Sequence, residues 1–181
     1  MRFTGVERQP ARMDEEDVAH LAGVFDAVGR LTTRIHQADT PVGYRLEPVV
    51  RLRRPSSNRA LLGKLDAYCR EHGVAYDAAE EDDGETWVFE VTDPESVREF
   101  LDPIAPYLVT GRRATAVMLD KVVPAVVGGH PSTREEFRRV VGYADKLREE
   151  TRRVGRGADP AGEPQYPRAF FEELWYDELA G

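Results

Sequence analysis

The nine residues Leu21-Ala-Gly-Val-Phe-Asp-Ala-Val-Gly29 contain a single charged side chain, Asp26, and lead almost at once into the alternating run Leu31-Thr-Thr-Arg-Ile-His36. The pattern predicts a helix that ends at Gly29, followed directly by a strand. Gly23 and Ala27 are four apart on one helix face, so two such helices can pack with close backbone approach, framed by Leu21 and Phe25. Upstream, Asp14 can cap the helix, and Glu15, Glu16 and Asp17 suit its positive N-terminus.

The same two signals then repeat in a fixed order. Turn residues Asp39 to Gly43 separate the first strand from a second alternating run, Arg45 to Arg54, which makes a hairpin; Pro48 removes one ladder donor and points to an edge or a bulge. Ser56 or Ser57 can cap a helix bearing Leu61, Leu62, Leu65, Tyr68 and Cys69 and ending at Gly73. Val74 to Ala78 and Thr86 to Val91 predict a second hairpin around the turn Glu80 to Gly84. Asp93 and Pro94 open a helix through Leu101, and Thr110 opens another to about Val126. A capping box at Ser132-Thr-Arg-Glu-Glu136 starts a helix with Phe137, Val140, Val141, Ala144 and Leu147 at helical spacing, ending near Arg153.

The expected organisation is an irregular arm over 1–13, an α+β domain over 14–153, a Gly- and Pro-rich linker over 154–166 and a short acidic helix over 167–181. That last helix gathers Phe170, Phe171, Leu174, Trp175 and Leu179. Its apolar face either docks on a partner protein or folds back onto its own domain.

Charge is distributed unevenly. A net charge of −8 and a pI near 5.1 argue against a generic nucleic-acid binder, because neutralising phosphates needs clustered cations. From Arg30 to Arg59, however, seven arginines face two acids, whereas from Asp77 to Asp102 eleven acids face Arg98 alone. Three lysines accompany 22 arginines, a composition that resembles a GC-rich, salt-adapted (halophilic) source with an acidic surface, and it leaves the arginine-rich segment as the feature that needs a reason. Cys69 is the single cysteine, and no apolar stretch of ~18 residues is present, so a soluble cytoplasmic, nucleoid-associated protein is expected. His20, His36, His72 and His130 show no metal-ligand spacing, and no phosphate loop or nucleophile elbow occurs.

Leu21 to Gly29 resembles the signature of the LAGLIDADG homing endonucleases. Phe100-Leu-Asp-Pro-Ile-Ala-Pro-Tyr-Leu108, followed by Arg112-Arg113 and an apolar helix, is similar to the second half of that family's pattern. The resemblance spans roughly residues 14–150, on the scale of one domain. It implies an αββαββα domain with an antiparallel saddle-shaped sheet over the DNA major groove, and additional C-terminal helices. With one signature copy, it implies a homodimer paired through Leu21, Ala22, Gly23, Phe25 and Ala27.

The resemblance also implies an acid at the eighth signature position, where paired carboxylates hold divalent metal; hard cations such as magnesium need oxygen ligands. That position is Val28, which has no lone pair. Asp26, the one acid in the signature, is a weak metal candidate, because two helical residues turn its side chain ~200° away from the eighth-position direction; a structural or capping role suits it better. The basic residue usual after the Pro-aromatic-Leu element is shifted or missing, since Val109-Thr-Gly111 precedes Arg112.

Alternation places Leu31, Thr33, Ile35, Leu46, Val50 and Leu52 toward the helices. Arg30, Thr32, Arg34, His36, Arg45, Glu47, Val49, Arg51 and Arg53 share the opposite face. Arginine forks suit guanine edges and phosphates, and Thr32 or Val49 can meet thymine methyls. With Arg54, Arg112 and Arg113, the basic members of this set and Thr32 are the expected DNA contacts. An arginine-rich solvated face is the plainer explanation, and Glu80, Glu81, Asp82, Asp83 and Glu85 would repel phosphate if they approached it. The expectation is a homodimeric double-stranded-DNA-binding protein without cleavage or cofactor, acting in transcription regulation. Two alternatives remain open: an active, magnesium-dependent nuclease with a rearranged metal site, and a protein-interaction scaffold.

Overall fold

The structure, a computed structural model, describes residues 13–81, 84–155 and 166–176. The expectations for the arm over 1–13, the linker over 154–166 and the end of the tail helix fall largely outside these residues. Asp14 caps α1 (Glu15–Val28), its carboxylate accepting the Asp17 N–H at 2.9 Å. Leu21, Ala22 and Phe25 line the face of α1 turned to the core and are buried, whereas Glu16, His20, Gly23 and Ala27 form an exposed stripe on the other side. Through the signature the helix is therefore uncharged on both faces apart from Asp26.

Gly29 ends α1, but with extended backbone (φ −69°, ψ 151°) rather than the left-handed turn common at helix ends. Its reason is steric: a Cβ there would lie 2.2 Å from Phe25 Cδ2. Gly73, which ends α2 (Arg59–His72), is left-handed at φ 68°. The helix starts later than the serines suggest, after Asn58, because Ser56 donates its N–H to the Glu85 carbonyl at 2.6 Å and belongs to the strand junction.

The sheet comprises β1 (Gly29–Gln37), β2 (Tyr44–Pro55), β3 (Asp77–Glu80) and β4 (Thr86–Val91), all antiparallel in the order β1-β2-β4-β3. β3 begins three residues later than the alternation predicts. Val74 donates back to the Cys69 carbonyl at 2.8 Å and Ala75 N–H to Ser96 Oγ at 3.1 Å, so this segment completes the helix exit instead of the ladder. Pro48 lies in the central strand without a bulge. The β2–β4 ladder starts at Val50, so Pro48 has a neighbouring strand on one side only, where a missing donor is tolerated.

Helices cover one face of the sheet. α3 (Pro94–Ile104) is capped by Asp93 and carries Val97, Phe100 and Leu101 inward, as predicted, and runs on through Pro103. A 3-10 turn, Ala105–Tyr107, precedes α4 (Arg112–Val117), which continues through a π turn, Met118–Val122, into α5 (Val123–Val126). The wider π turn accommodates Pro124, which has no N–H and would crowd the carbonyl one turn back. α6 (Arg134–Arg153) begins with the expected capping box, formed by Thr133 and Glu136. At the centre, Phe100 meets Phe25 at 5.9 Å, Tyr68 at 5.4 Å and Phe89 at 5.8 Å between ring centroids, joining α1, α2, α3 and β4.

Of the two readings of the tail, the described residues take the one in which it folds back onto its own domain. α7 (Arg168–Leu174) folds back, with Phe171 and Trp175 buried. Tyr44, Phe137, Tyr166, Phe170, Phe171 and Trp175 form one aromatic cluster, with Tyr44 and Phe171 5.0 Å apart and Phe137 and Phe171 5.2 Å apart. Tyr44 supplies the acceptor surface for this cluster at the start of β2, which explains why the tail docks on its own domain.

Candidate nucleic-acid interface

Strand register decides which side chains share the uncovered face. Arg30 lies opposite Arg51, Thr32 opposite Val49, Arg34 opposite Glu47 and His36 opposite Arg45, as the alternation predicts. β4 then sets Glu90 opposite Arg51 and Val88 opposite Arg53, and β3 sets Asp77 opposite Glu90. The arginines consequently do not stand alone.

Glu90 accepts both a 3.2 Å and a 3.3 Å hydrogen bond from Arg34 Nη2, and Arg51 Nε lies 3.3 Å from its Oε1. Arg53 Nε donates to Glu81 at 2.8 Å. At the far end His36 Nε2 lies 3.9 Å from Glu47. Nearby His130 has its pKa lowered, first by burial and then by Arg45 and His36, against the opposing pull of Glu47. The face thus carries five arginines against Glu47, Asp77, Glu81 and Glu90, a more balanced mixture than the first hairpin alone shows. Glu81 and Glu80, from the acidic turn, brace Arg53 and Arg59. Glu90 is not evident from sequence because the alternation Thr86-Val88-Glu90 is visible but its alignment with Arg34 and Arg51 depends on register.

Four expected contacts are withdrawn or relocated. Val49 is 1% exposed and is withdrawn as a thymine reader. Arg54 faces the helix side, opposite Trp87, because it follows Arg53 in a strand of period two. Arg112 and Arg113 are exposed in the first turn of α4, away from the strand register. Arg30, Thr32, Arg34, His36, Arg45, Arg51 and Arg53 remain on the uncovered face.

The end of α1 forms a second part of the region. Asp26 accepts N–H donors from Val109 at 2.9 Å, Thr110 at 2.8 Å and Gly111 at 2.6 Å. It tethers the turn leading into α4, which is the capping role rather than the metal role. Burial would raise the carboxyl's pKa, but these donors together outweigh it and bring it down from 3.8 to about 2. The tether holds Val109 out into solvent, 82% exposed, where the resemblance leads one to expect a basic side chain.

Asp26→Ala is expected to destabilise the protein by about 2 kcal/mol, since it removes the acceptor of three backbone donors. Because the folded carboxyl titrates below its unfolded value, its contribution is complete above pH 3.8 and is lost as pH falls toward 2. Urea unfolding between pH 5 and 2 checks this: the gap between wild type and Asp26→Ala should narrow with acid, and a constant gap would refute it.

Val28 borders an open cleft of about 310 Å³ shared with Arg54, Asn58, Leu61 and Lys64. Among the described residues no carboxylate lines that cleft, and no group of three or more His, Cys, Asp and Glu side chains is placed to hold a metal ion. The hard-cation site implied by the resemblance does not fit these residues, because Val28 has no donor atom and both Asp26 oxygens are committed to backbone N–H groups. The expected dimer-forming residues separate likewise. Leu21, Ala22 and Phe25 are buried in the protomer's own core and are withdrawn from an interface, whereas Gly23 and Ala27 are exposed and a Cβ on Gly23 would meet nothing within 4 Å.

No family model matches the chain, and no curated protein matches it. Solved structures do. The homing endonuclease I-CvuI, solved in complex with its target in the presence of calcium, is similar with a TM-score of 0.72 at 16% identity, over 90% of this chain and 94% of its own. The archaeal intron-encoded homing endonuclease I-Vdi141I, complexed with DNA, gives 0.70 at 19% identity, over 93% of this chain and 100% of its own. The LAGLIDADG homing endonuclease I-SmaMI, bound to cleaved DNA, gives 0.60 at 14% identity, over 85% of this chain and 51% of its own. This chain has the fold of the LAGLIDADG homing endonucleases.

Proposed function

We propose that this protein binds double-stranded DNA as a homodimer, reads the major groove with the uncovered face of its sheet, does not cleave, and regulates transcription at the sites it occupies. The observation that carries the reading is an exposed arginine-bearing sheet face on a fold shared with I-CvuI and I-Vdi141I, which were solved in complex with target or DNA, combined with valine at the eighth signature position. The arginines supply guanine and phosphate recognition. The acids interleaved with them favour selectivity over general affinity, because an unsuitable duplex must displace carboxylates without replacing their hydrogen bonds.

Selection of bound duplexes from a random pool, followed by incubation with magnesium, tests both halves. A discrete recognition sequence recovered intact is expected; robust cutting by the unmodified protein would instead establish the nuclease alternative.

The exposed stripe of α1, where Gly23 and Ala27 leave backbone accessible to a symmetry mate, supports the dimer reading. Gly23→Leu should convert the dimer to monomer in sedimentation velocity while leaving circular dichroism unchanged, because nothing in the protomer obstructs the new side chain. A variant that remained dimeric would remove α1 as the interface.

One observation favours the scaffold alternative. Glu90 and Glu81 already occupy Arg34, Arg51 and Arg53, so the face is internally paired without DNA. In that reading the pairs are ordinary surface bridges and the acidic hairpin serves protein partners.

A further inference from the structure

We infer that DNA binding by this protein is linked to proton uptake at a two-histidine cluster beside the turn of the first hairpin, so that the duplex is held more tightly as pH falls. The inference rests on the DNA-binding reading above and adds a regulatory input to it. Three segments build the cluster. β1 brings His36 and β2 brings Arg45 and Glu47, all on the uncovered face, where His36 lies opposite Arg45. The segment between α5 and α6 brings His130, set between the positive-φ pair Gly128 and Gly129 and buried Pro131.

Among the described residues no ion pair holds Arg45, unlike Arg34, Arg51 and Arg53, and its side chain is exposed. Glu47, 3.9 Å from His36 Nε2, supplies the negative charge of the cluster. His130 Nδ1 is buried with no hydrogen-bond partner. A proton there would be a buried donor without an acceptor, so burial favours the neutral ring; Arg45 and His36 push the same way, and Glu47 opposes them. The charges of the neighbouring helices are committed elsewhere. α5 carries no charged residue, and at the start of α6 Arg134 lies over Trp175, Glu135 is 3.6 Å from Arg139, and Glu136 accepts the Ser132 and Thr133 N–H groups.

A ring kept neutral partly by Arg45 responds to anything that engages Arg45. A duplex along the sheet sets phosphates against this exposed arginine, and their negative field cancels the positive charge that holds the proton off His130. His36, on the same face with its side chain 41% exposed, receives the same field. The complex therefore carries more protons than the free protein, and by linkage affinity must rise as pH falls. Imidazole is the side chain whose ordinary range lets such a coupling operate near neutrality. The fold itself responds with the opposite sign. Because folded His130 titrates below its unfolded value, the free protein loses stability as pH falls through 6.5, so tighter binding in acid is not a by-product of a firmer fold.

The experiment uses the full chain and a fluorescent duplex selected by the wild-type protein. Affinity is measured from about pH 7.5 to about pH 5.5 at constant ionic strength, a window above the ordinary carboxylate range. Wild type, His130→Gln, His36→Gln/His130→Gln and Arg34→Gln/Arg51→Gln are compared. Wild type should bind about 5- to 20-fold more tightly at the acid end, the effect of raising one or two imidazole midpoints by about one pH unit on binding. His130→Gln should lose most of that gain and the double histidine variant all of it. Arg34→Gln/Arg51→Gln should bind more weakly throughout and keep the pH response. High salt should shrink the response by screening the field of the duplex. Proton NMR of the His130 ring in the wild-type chain reads the coupling directly: its titration midpoint should move up when the selected duplex is added.

A wild-type affinity that does not change with pH, alongside weakened binding by Arg34→Gln/Arg51→Gln, would overturn the linkage and leave DNA reading intact. A pH response that survives in His36→Gln/His130→Gln, or a His130 midpoint unmoved by duplex, would overturn it as well. If wild type selects no duplex at either end of the range, the DNA-binding reading itself fails and the linkage with it. Thermal unfolding at each pH confirms that a variant is folded before binding is compared, and the NMR midpoint, read on wild type, decides the question should a histidine variant fail to fold.

Discussion

Gly29→Ala is expected to cost about 3 kcal/mol of stability, at the upper end of the range for overpacking a core. The added Cβ would lie 2.2 Å from Phe25 Cδ2, 2.4 Å from Cε2 and 2.6 Å from Cγ, far inside van der Waals contact. The ring has little room to withdraw, since Phe25 is 2% exposed and packs edge-on against Phe100. The melting temperature should fall by roughly 6–12 °C for a domain of this size. A double-mutant cycle with Phe25→Ala identifies the cause: once the ring is gone, the alanine should cost little, and independent, additive losses would show that the strain lies elsewhere.

Abolished DNA binding on replacing Arg34, Arg51 and Arg53 by glutamate is the second large effect, a weakening expected to exceed about 100-fold. Each missing arginine takes away recognition of a phosphate or guanine, and each new glutamate adds repulsion from phosphate. Stability should change by no more than about 1 kcal/mol for each exposed pair broken, because such bridges contribute little on a solvated face. Glu90→Gln provides the complementary arm. Releasing Arg34 and Arg51 from the shared carboxylate should strengthen binding to unselected duplex more than to selected duplex, and so narrow the ratio between them. Fluorescence anisotropy at several salt concentrations reads both effects. A wild-type protein with no DNA association for the charge reversal to abolish, and a charge-reversed protein that still recovers protein partners, would point to the scaffold instead.

Much of the fold was legible because its signals are local. Asp14, Asp93 and the Thr133–Glu136 box start helices at the expected places, since a cap requires only a side chain within three residues of the N–H it accepts. Alternation over Arg30–His36 and Arg45–Arg53 separates the covered face of β1 and β2 from the uncovered one, because successive side chains in a strand must point to opposite sides. The errors fall where a distant group competes with a local preference. Val74 and Ala75 read as strand, yet a helix carbonyl and the Ser96 hydroxyl claim their N–H groups. Phe171 and Trp175 read equally well as partner-facing or self-facing, and only the proximity of Tyr44 and Phe137 resolves them.

The signature itself divides in the same way. From residue types alone came the small-residue face at Gly23 and Ala27, the absence of a carboxylate at Val28 and a capping role for Asp26, since each depends on what a side chain contains and on the pitch of one helix. The identity of the groups held by Asp26, the burial of Leu21, Ala22 and Phe25, the pairing of Glu90 with two arginines and the turning of Arg54 into a carboxylate-free cleft are decided by tertiary structure. These features join residues far apart in the chain, and the energy of a charge or a hydrogen bond depends on what the folded chain brings within a few ångströms of it.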